Sequence, residues 1–176
     1  MALACSDPAQ PGHPLRASSN GLIVASQNHR PAYSWRADPN VPAFADEKPL
    51  IVFDGLCVLC SANAKFVLRH DRKAAFRLTT AQGPVGEALY RHFGLANGDY
   101  ETLLVLSQGR LLTHSDAAIA IGEGLGWPWR AARALRMVPR PLRDTLYRLV
   151  ARNRYRLFGR RTACWMPRDE DRARIL

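Results

Sequence analysis

Lysine is scarce in this chain. Among 176 residues it occurs only as Lys48, Lys65 and Lys73, although lysine and arginine together number 25, so nearly all the positive charge is arginine. Acids are few as well, and the net charge is +10. Such a balance favours anionic surfaces, whether nucleic acid, phospholipid headgroups or an acidic protein, without choosing among them. No apolar run approaches the roughly 20 residues of a membrane span. The first ten residues carry neither a basic n-region nor an apolar stretch, so no targeting segment is expected. Leu3-Ala4-Cys5 is similar to a lipoprotein cleavage box, but nothing hydrophobic precedes it. The expectation is a soluble, cytoplasmic chain with reduced thiols. Cysteine is sparse too. Cys5, Cys57, Cys60 and Cys164 are too few for a disulfide scaffold in a chain long enough to bury its own core. One close pair among the four leans instead toward catalysis or metal binding.

What is present changes character along the chain. Residues 1–47 are rich in Pro, Ser, Asn and Ala without a sustained period, and read as a mostly flexible tail. Leu22-Ile23-Val24 could form a short strand, and the aromatics of residues 33–44 could lie along the domain. Leu50-Ile51-Val52-Phe53, ended by Asp54-Gly55, predicts a buried strand entering a turn. A helix follows over about 58–71, with Leu59, Ala62, Phe66 and Val67 on one face and Ser61, Lys65, Arg69 and Arg72 on the other. Residues 75–79 read as a second strand, and 82–93 as a second helix ending at Gly94. Residues 102–113 predict a hairpin around Ser107-Gln108-Gly109-Arg110. Ser115 is a plausible N-cap for a helix reaching about Gly124. The order β-α-β-α-β-β-α is the plan of a thioredoxin-like α/β domain, placed at 48–126. Residues 127–176 form an arginine-rich helical extension, with helices near 129–137 and 142–155. In the second of these Leu142, Leu146, Leu149 and Val150 form an apolar stripe suited to packing.

The chemistry concentrates at Cys57-Val58-Leu59-Cys60. With Cys57 in the cap region of a helix and Cys60 in its first turn, the two sulfurs can approach bonding distance. Unpaired N–H groups and the helix dipole at that end favour a thiolate on Cys57. Cys57 would then attack a substrate disulfide and Cys60 would resolve the mixed disulfide. Asp54, three residues earlier, is the candidate acceptor for the Cys60 proton, unless it is only a turn or cap residue. Three other readings are weaker. Half a zinc site lacks the remaining ligands, since the other cysteines are isolated and no His-x₃₋₅-His pair exists. Two buried structural thiols are possible. Ile51-Val52-Phe53-Asp54 is similar to the nucleophile strand of aspartyl phosphatases, but their second carboxylate falls on Leu56.

These residues resemble the DCC family of predicted thiol–disulfide oxidoreductases, whose motif Asp-x-x-Cys-x-x-Cys is here Asp54-Gly55-Leu56-Cys57-Val58-Leu59-Cys60. The similarity extends from about Leu50 to the C-terminus. It takes in Ser115-Asp116-Ala117-Ala118, Val138-Pro139-Arg140, Arg143-Asp144-Thr145-Leu146-Tyr147 and the run Asn153 to Arg161, followed by Cys164 and Pro167. The resemblance implies a thioredoxin-like fold and a redox-active dithiol at Cys57 and Cys60, with an undefined thiol or disulfide substrate and neither metal nor organic cofactor. Thioredoxins carry a cis-proline just before the hairpin, whereas this chain reads Asp99-Tyr100-Glu101-Thr102 there.

Between Trp127 and Arg168 lie 12 arginines and a single acid, Asp144. Most are expected to be a solvated face tied to carbonyls and carboxylates. The functional alternative is an anion-binding surface for phospholipid, an acidic partner or the carboxylates of glutathione. The main rival to disulfide exchange is a non-catalytic binding module, in which the redox fold survives as a scaffold and the basic helices dock a membrane or an acidic partner. Nucleic acid is disfavoured because no recognised motif appears. Cys164 is expected to be an ordinary buried thiol, or else a third redox participant. His70, His92 and His114 read as surface or packing residues. Trp127 and Trp129 are expected to anchor the extension to the core.

Overall fold

The computed structural model describes residues 30–95, 100 and 102–176; the expected strand at Leu22-Ile23-Val24 lies outside them. Strand β1 (Leu50–Phe53) is one of the two inner strands of a four-stranded sheet ordered β2-β1-β3-β4. All four of its residues are buried. A central strand covered on both faces needs no polar alternation, which is why it reads as a continuous apolar run. Helix α1 (Val58–His70) returns the chain to β2 (Arg77–Thr80), parallel to β1, with Val52 opposite Thr79. Helix α2 (Pro84–His92) starts with proline, whose missing N–H costs nothing in a first turn. Strand β3 (Leu104–Ser107) then runs antiparallel to β1, and β4 (Arg110–Thr113) pairs with β3. Gln108 and Gly109, both at positive φ, make the two-residue turn between them. Gly109 is required twice over, because Tyr33 packs where its side chain would stand. Helix α3 (His114–Leu125), a 3-10 segment (Trp129–Met137) and helix α4 (Arg140–Phe158) follow. The result is a mixed α/β protein, consistent with a thioredoxin-like fold.

Alternate side chains of the strands feed two cores. Ile51, Phe53, Leu78 and Val105 meet Ala64, Val67 and Ala117 of α1 and α3. Leu50, Val52, Leu104 and Leu106 meet Leu89 and Tyr90 of α2, together with Trp35. Trp35 is stacked with Phe44 and edge-on to Phe93, so residues 30–47 are joined to the second core by aromatic contacts. Burial of an indole brings a large share of apolar area with it.

Five details differ from the sequence expectation. The buried face of α1 carries Ser61, Ala64, Val67 and Leu68, while Ala62 and Phe66 face outward. The hydroxyl of Ser61 donates to Gly55 O at 3.3 Å, and this contact belongs to the rotation that turns Phe66 away from the core. Phe66 instead meets His70 and Trp129. Ser115 does not cap α3. Its N–H and its hydroxyl both go to Asp144 Oδ1, and Thr113 stands at the N-cap with no side-chain bond to the helix backbone, its hydroxyl paired instead with His114 Nδ1. Trp127 is 83% exposed, so of the two tryptophans only Trp129 packs. The leucines of α4 point to solvent. The helix is held inward by Tyr147, whose hydroxyl accepts the Leu103 N–H at 3.1 Å, and by the buried Ala151 and Arg154. Cys164, finally, is disulfide-bonded rather than an ordinary thiol.

After α4 the chain doubles back over the β1–α1 loop. Val58 N donates to Gly159 O (3.4 Å), Arg161 N to Leu56 O (2.7 Å) and Trp165 N to Gly55 O (3.1 Å). Trp165 is buried edge-on against Phe53. The last residues reach the free edge of β2, where Leu176 N donates to Leu78 O at 2.9 Å.

Candidate active site

The end of β1 and the start of α1 bring together the three residues singled out in the sequence. Cys57 is the N-cap residue of α1, in extended backbone conformation, and its sulfur accepts the Cys60 N–H at 3.2 Å. A sulfur at this position satisfies a first-turn donor that would otherwise have no partner. Both cysteines are free thiols, and one donor atom from each of Asp54, Cys57 and Cys60 lies within 4.8 Å of the others. The sulfurs are neighbours that share no bond.

The two thiols differ in character. Cys57 titrates at about 7, below the usual thiol range. The main cause is a hydrogen bond from the Cys60 thiol; the Cys60 N–H and the Arg154 charge act in the same sense, while burial and Asp54 oppose it. Cys60 is pushed strongly upward by donating that same hydrogen bond, and further by burial. One thiolate and one thiol sharing a proton is the arrangement expected of an attacking and a resolving cysteine.

Asp54, only 2% exposed, is the hub of a polar cluster. Its Oδ1 accepts Leu56 N–H (2.9 Å), closing an Asx-type turn, and Gln82 Nε2 (2.7 Å). Its Oδ2 accepts the Tyr155 hydroxyl and an Nη of Arg154 at 3.4 Å. Gln82 also receives Gly55 N–H (2.9 Å), so it clamps the loop from the turn after β2. Tyr155 is held well above the ordinary phenol range by burial and by the Asp54 carboxylate, which keeps its proton in place. Tyr147, nearby, is pushed up to about 12, chiefly by burial. Gln82, Tyr147, Arg154 and Tyr155 belong to the site although sequence reasoning did not place them there. The signals available were the similarities of the 143–147 and 153–161 runs to the family pattern, which contain Tyr147, Arg154 and Tyr155.

Asp54, Cys57 and Cys60 also form a set of possible metal donors. The donor chemistry fits poorly. Four donors already converge on the carboxylate, one of them a guanidinium, and a tetrahedral structural site requires a fourth ligand.

Access is unequal. Cys57 is 0% exposed, covered by the 159–161 segment, where Arg160 forms an isolated antiparallel bridge with it. Cys60 is half-buried and lines a largely apolar cavity of about 190 Å³, with Tyr100, Leu103, Tyr147, Val150 and Arg154 also in its wall.

Residues 51–160 match the family model described as DCC1-like thiol-disulfide oxidoreductase. The chain belongs to that family. It is 32% identical over 127 residues to the "Uncharacterized protein YuxK" of Bacillus subtilis (strain 168), covering 72% of this chain and 93% of the relative. It is also 32% identical over 154 residues to the "DCC family protein At1g52590, chloroplastic" of Arabidopsis thaliana, covering 85% and 90%. No solved structure is detectably similar. The matched DCC1-like region contains Asp54, both thiols, and Arg154 and Tyr155. Among the described residues no helix is long and apolar enough to cross a membrane.

Proposed function

We propose that this chain is a thiol–disulfide oxidoreductase in which Cys57 attacks, Cys60 resolves and Asp54 accepts the resolving proton. The observation that carries it is the proton asymmetry between two adjacent free thiols, one titrating at about 7 and the other pushed far above. The family description supports redox chemistry.

The reaction begins with the Cys57 thiolate displacing one sulfur of a substrate disulfide. The substrate S–S bond breaks, a mixed disulfide forms, and the departing thiolate takes a proton from solvent. Cys60 then gives its proton to Asp54, and its sulfur attacks Cys57. This releases the second substrate sulfur as a thiolate, which takes up the proton held by Asp54, and closes the Cys57–Cys60 disulfide. Two electrons pass from the dithiol to the substrate, and a partner thiol returns them by the reverse sequence. Because Cys57 lies beneath residues 159–161, attack requires that strap to part from the loop. A purely non-catalytic scaffold leaves the proton asymmetry of the two adjacent thiols without a role.

Equilibration in glutathione buffers of graded potential tests the reading. A reversible intramolecular disulfide, located by mass spectrometry at Cys57 and Cys60, is expected, and Cys60→Ser should accumulate a mixed disulfide on Cys57. Two thiols that stay reduced across the whole range would end it.

A further inference from the structure

The helical half of the chain exposes apolar side chains that the dithiol does not use. Leu142, Leu146, Leu149 and Leu157 are spaced by four, three and eight residues, which places them on one face of α4. Each is 60–65% exposed. The opposite face holds the domain through Ala151 and Arg154, so this stripe is not the packing side of the helix. Arg148, Arg152 and Arg156, four residues apart, run beside the leucines, and all three are exposed. Other arginines of the region are tied to acids: Arg140 and Arg143 to Asp116, and Arg136 to Glu123. Just before α4, Leu135 and Met137 are exposed as well. So much apolar surface on one element marks a contact site.

The charges select the occupant. A second copy docked by this stripe would set one row of arginines against another, a like-charge contact that disfavours association. Leucines flanked by guanidiniums on an exposed helix instead match a helix lying in the plane of a membrane surface. There the leucines enter the acyl boundary and the arginines remain level with the phosphates. The excess of 12 arginines over one acid between Trp127 and Arg168 adds attraction to anionic lipid.

We infer that the outer face of α4 docks on an anionic phospholipid bilayer through Leu142, Leu146, Leu149 and Leu157, with Arg148, Arg152 and Arg156 on the headgroup phosphates. Val150, partly exposed beside the stripe, also belongs to the wall of the cavity that holds Cys60, so docking turns that wall toward the lipid. The docking does not depend on the redox reading.

Co-sedimentation of the full chain with vesicles tests it. Strong binding is expected to vesicles of phosphatidylcholine mixed with phosphatidylglycerol, falling as salt rises. Binding to phosphatidylcholine alone should be about tenfold weaker or more. Leu146→Ser with Leu149→Ser should lose about tenfold or more on the mixed vesicles, because both side chains leave the acyl boundary. Its melting temperature and thiol titration should stay those of the wild type. Arg148→Glu with Arg152→Glu should lose the salt-sensitive part. Equal binding by wild type and the serine variant, or no binding to either vesicle, overturns the inference. So does a concentration-dependent dimer abolished by the serine variant, which would assign the stripe to a second copy. Binding confined to an acidic protein would assign it to that class.

Discussion

Arg154 and Asp54 are 100 residues apart in the chain, and their side chains meet at 3.4 Å with both residues buried. The contact binds α4 to the end of β1 and sets a permanent positive charge beside the dithiol. Arg154→Met removes the cation and leaves a buried carboxylate without its counter-ion. A loss of about 3–5 kcal/mol in denaturant unfolding is expected. The Cys57 midpoint should rise, because the Arg154 charge lowers it. A stable variant with an unchanged midpoint would contradict both roles.

Tyr155→Phe deletes the hydroxyl that donates to Asp54 Oδ2 and keeps the ring. The expected cost is about 1–3 kcal/mol, the penalty for leaving a buried acceptor short of a partner. Equilibrium unfolding at neutral pH measures it, and an unchanged midpoint of unfolding would remove Tyr155 from the cluster.

Asp54→Asn separates acidity from proton transfer. The negative charge of Asp54 raises the Cys57 value, so the amide should shift that midpoint downward. Turnover in an insulin or glutathione disulfide assay should nevertheless fall by about a hundredfold, since Cys60 loses its proton acceptor. Turnover at the wild-type rate would show that Asp54 serves only as the turn residue that its Leu56 N–H contact describes.

Trp165→Ala tests the strap. The indole is buried against Phe53, and its backbone N–H holds Gly55 O. Truncation should cost about 3–5 kcal/mol and loosen the segment over Cys57. Faster alkylation of Cys57 in the folded protein, with Cys60 less affected, is the expected readout. Unchanged labelling would mean that the strap does not govern access.

Local patterns were legible in the sequence where one residue type decides a local structure. The apolar run of β1 announced a buried strand, and the Cys57–Cys60 spacing placed the dithiol at the turn after it. The polar cluster was not legible, because Gln82 reaches Asp54 from the turn after β2 and Arg154 and Tyr155 from α4, and no local period encodes a contact over 100 residues. Helix rotation failed for a related reason. Hydrophobic spacing alone assigned the leucines of α4 to packing and Phe66 to the core. In the structure polar anchors accompany the rotation of both helices: Tyr147 and Arg154 in α4, and Ser61 in α1. Ser115 has the residue type of a cap, but its acceptor, Asp144, comes from another helix, which no local pattern reveals.

The most direct measurement is a pH titration of the thiolate ultraviolet absorbance in the folded, reduced protein, with Cys57→Ser as control. Thiolate should be present above about 7 and lost as pH falls through that value, and the transition should vanish in the variant. A single transition at the ordinary thiol position of about 8.5, or one that survives in Cys57→Ser, would contradict the assignment of Cys57 as the attacking sulfur.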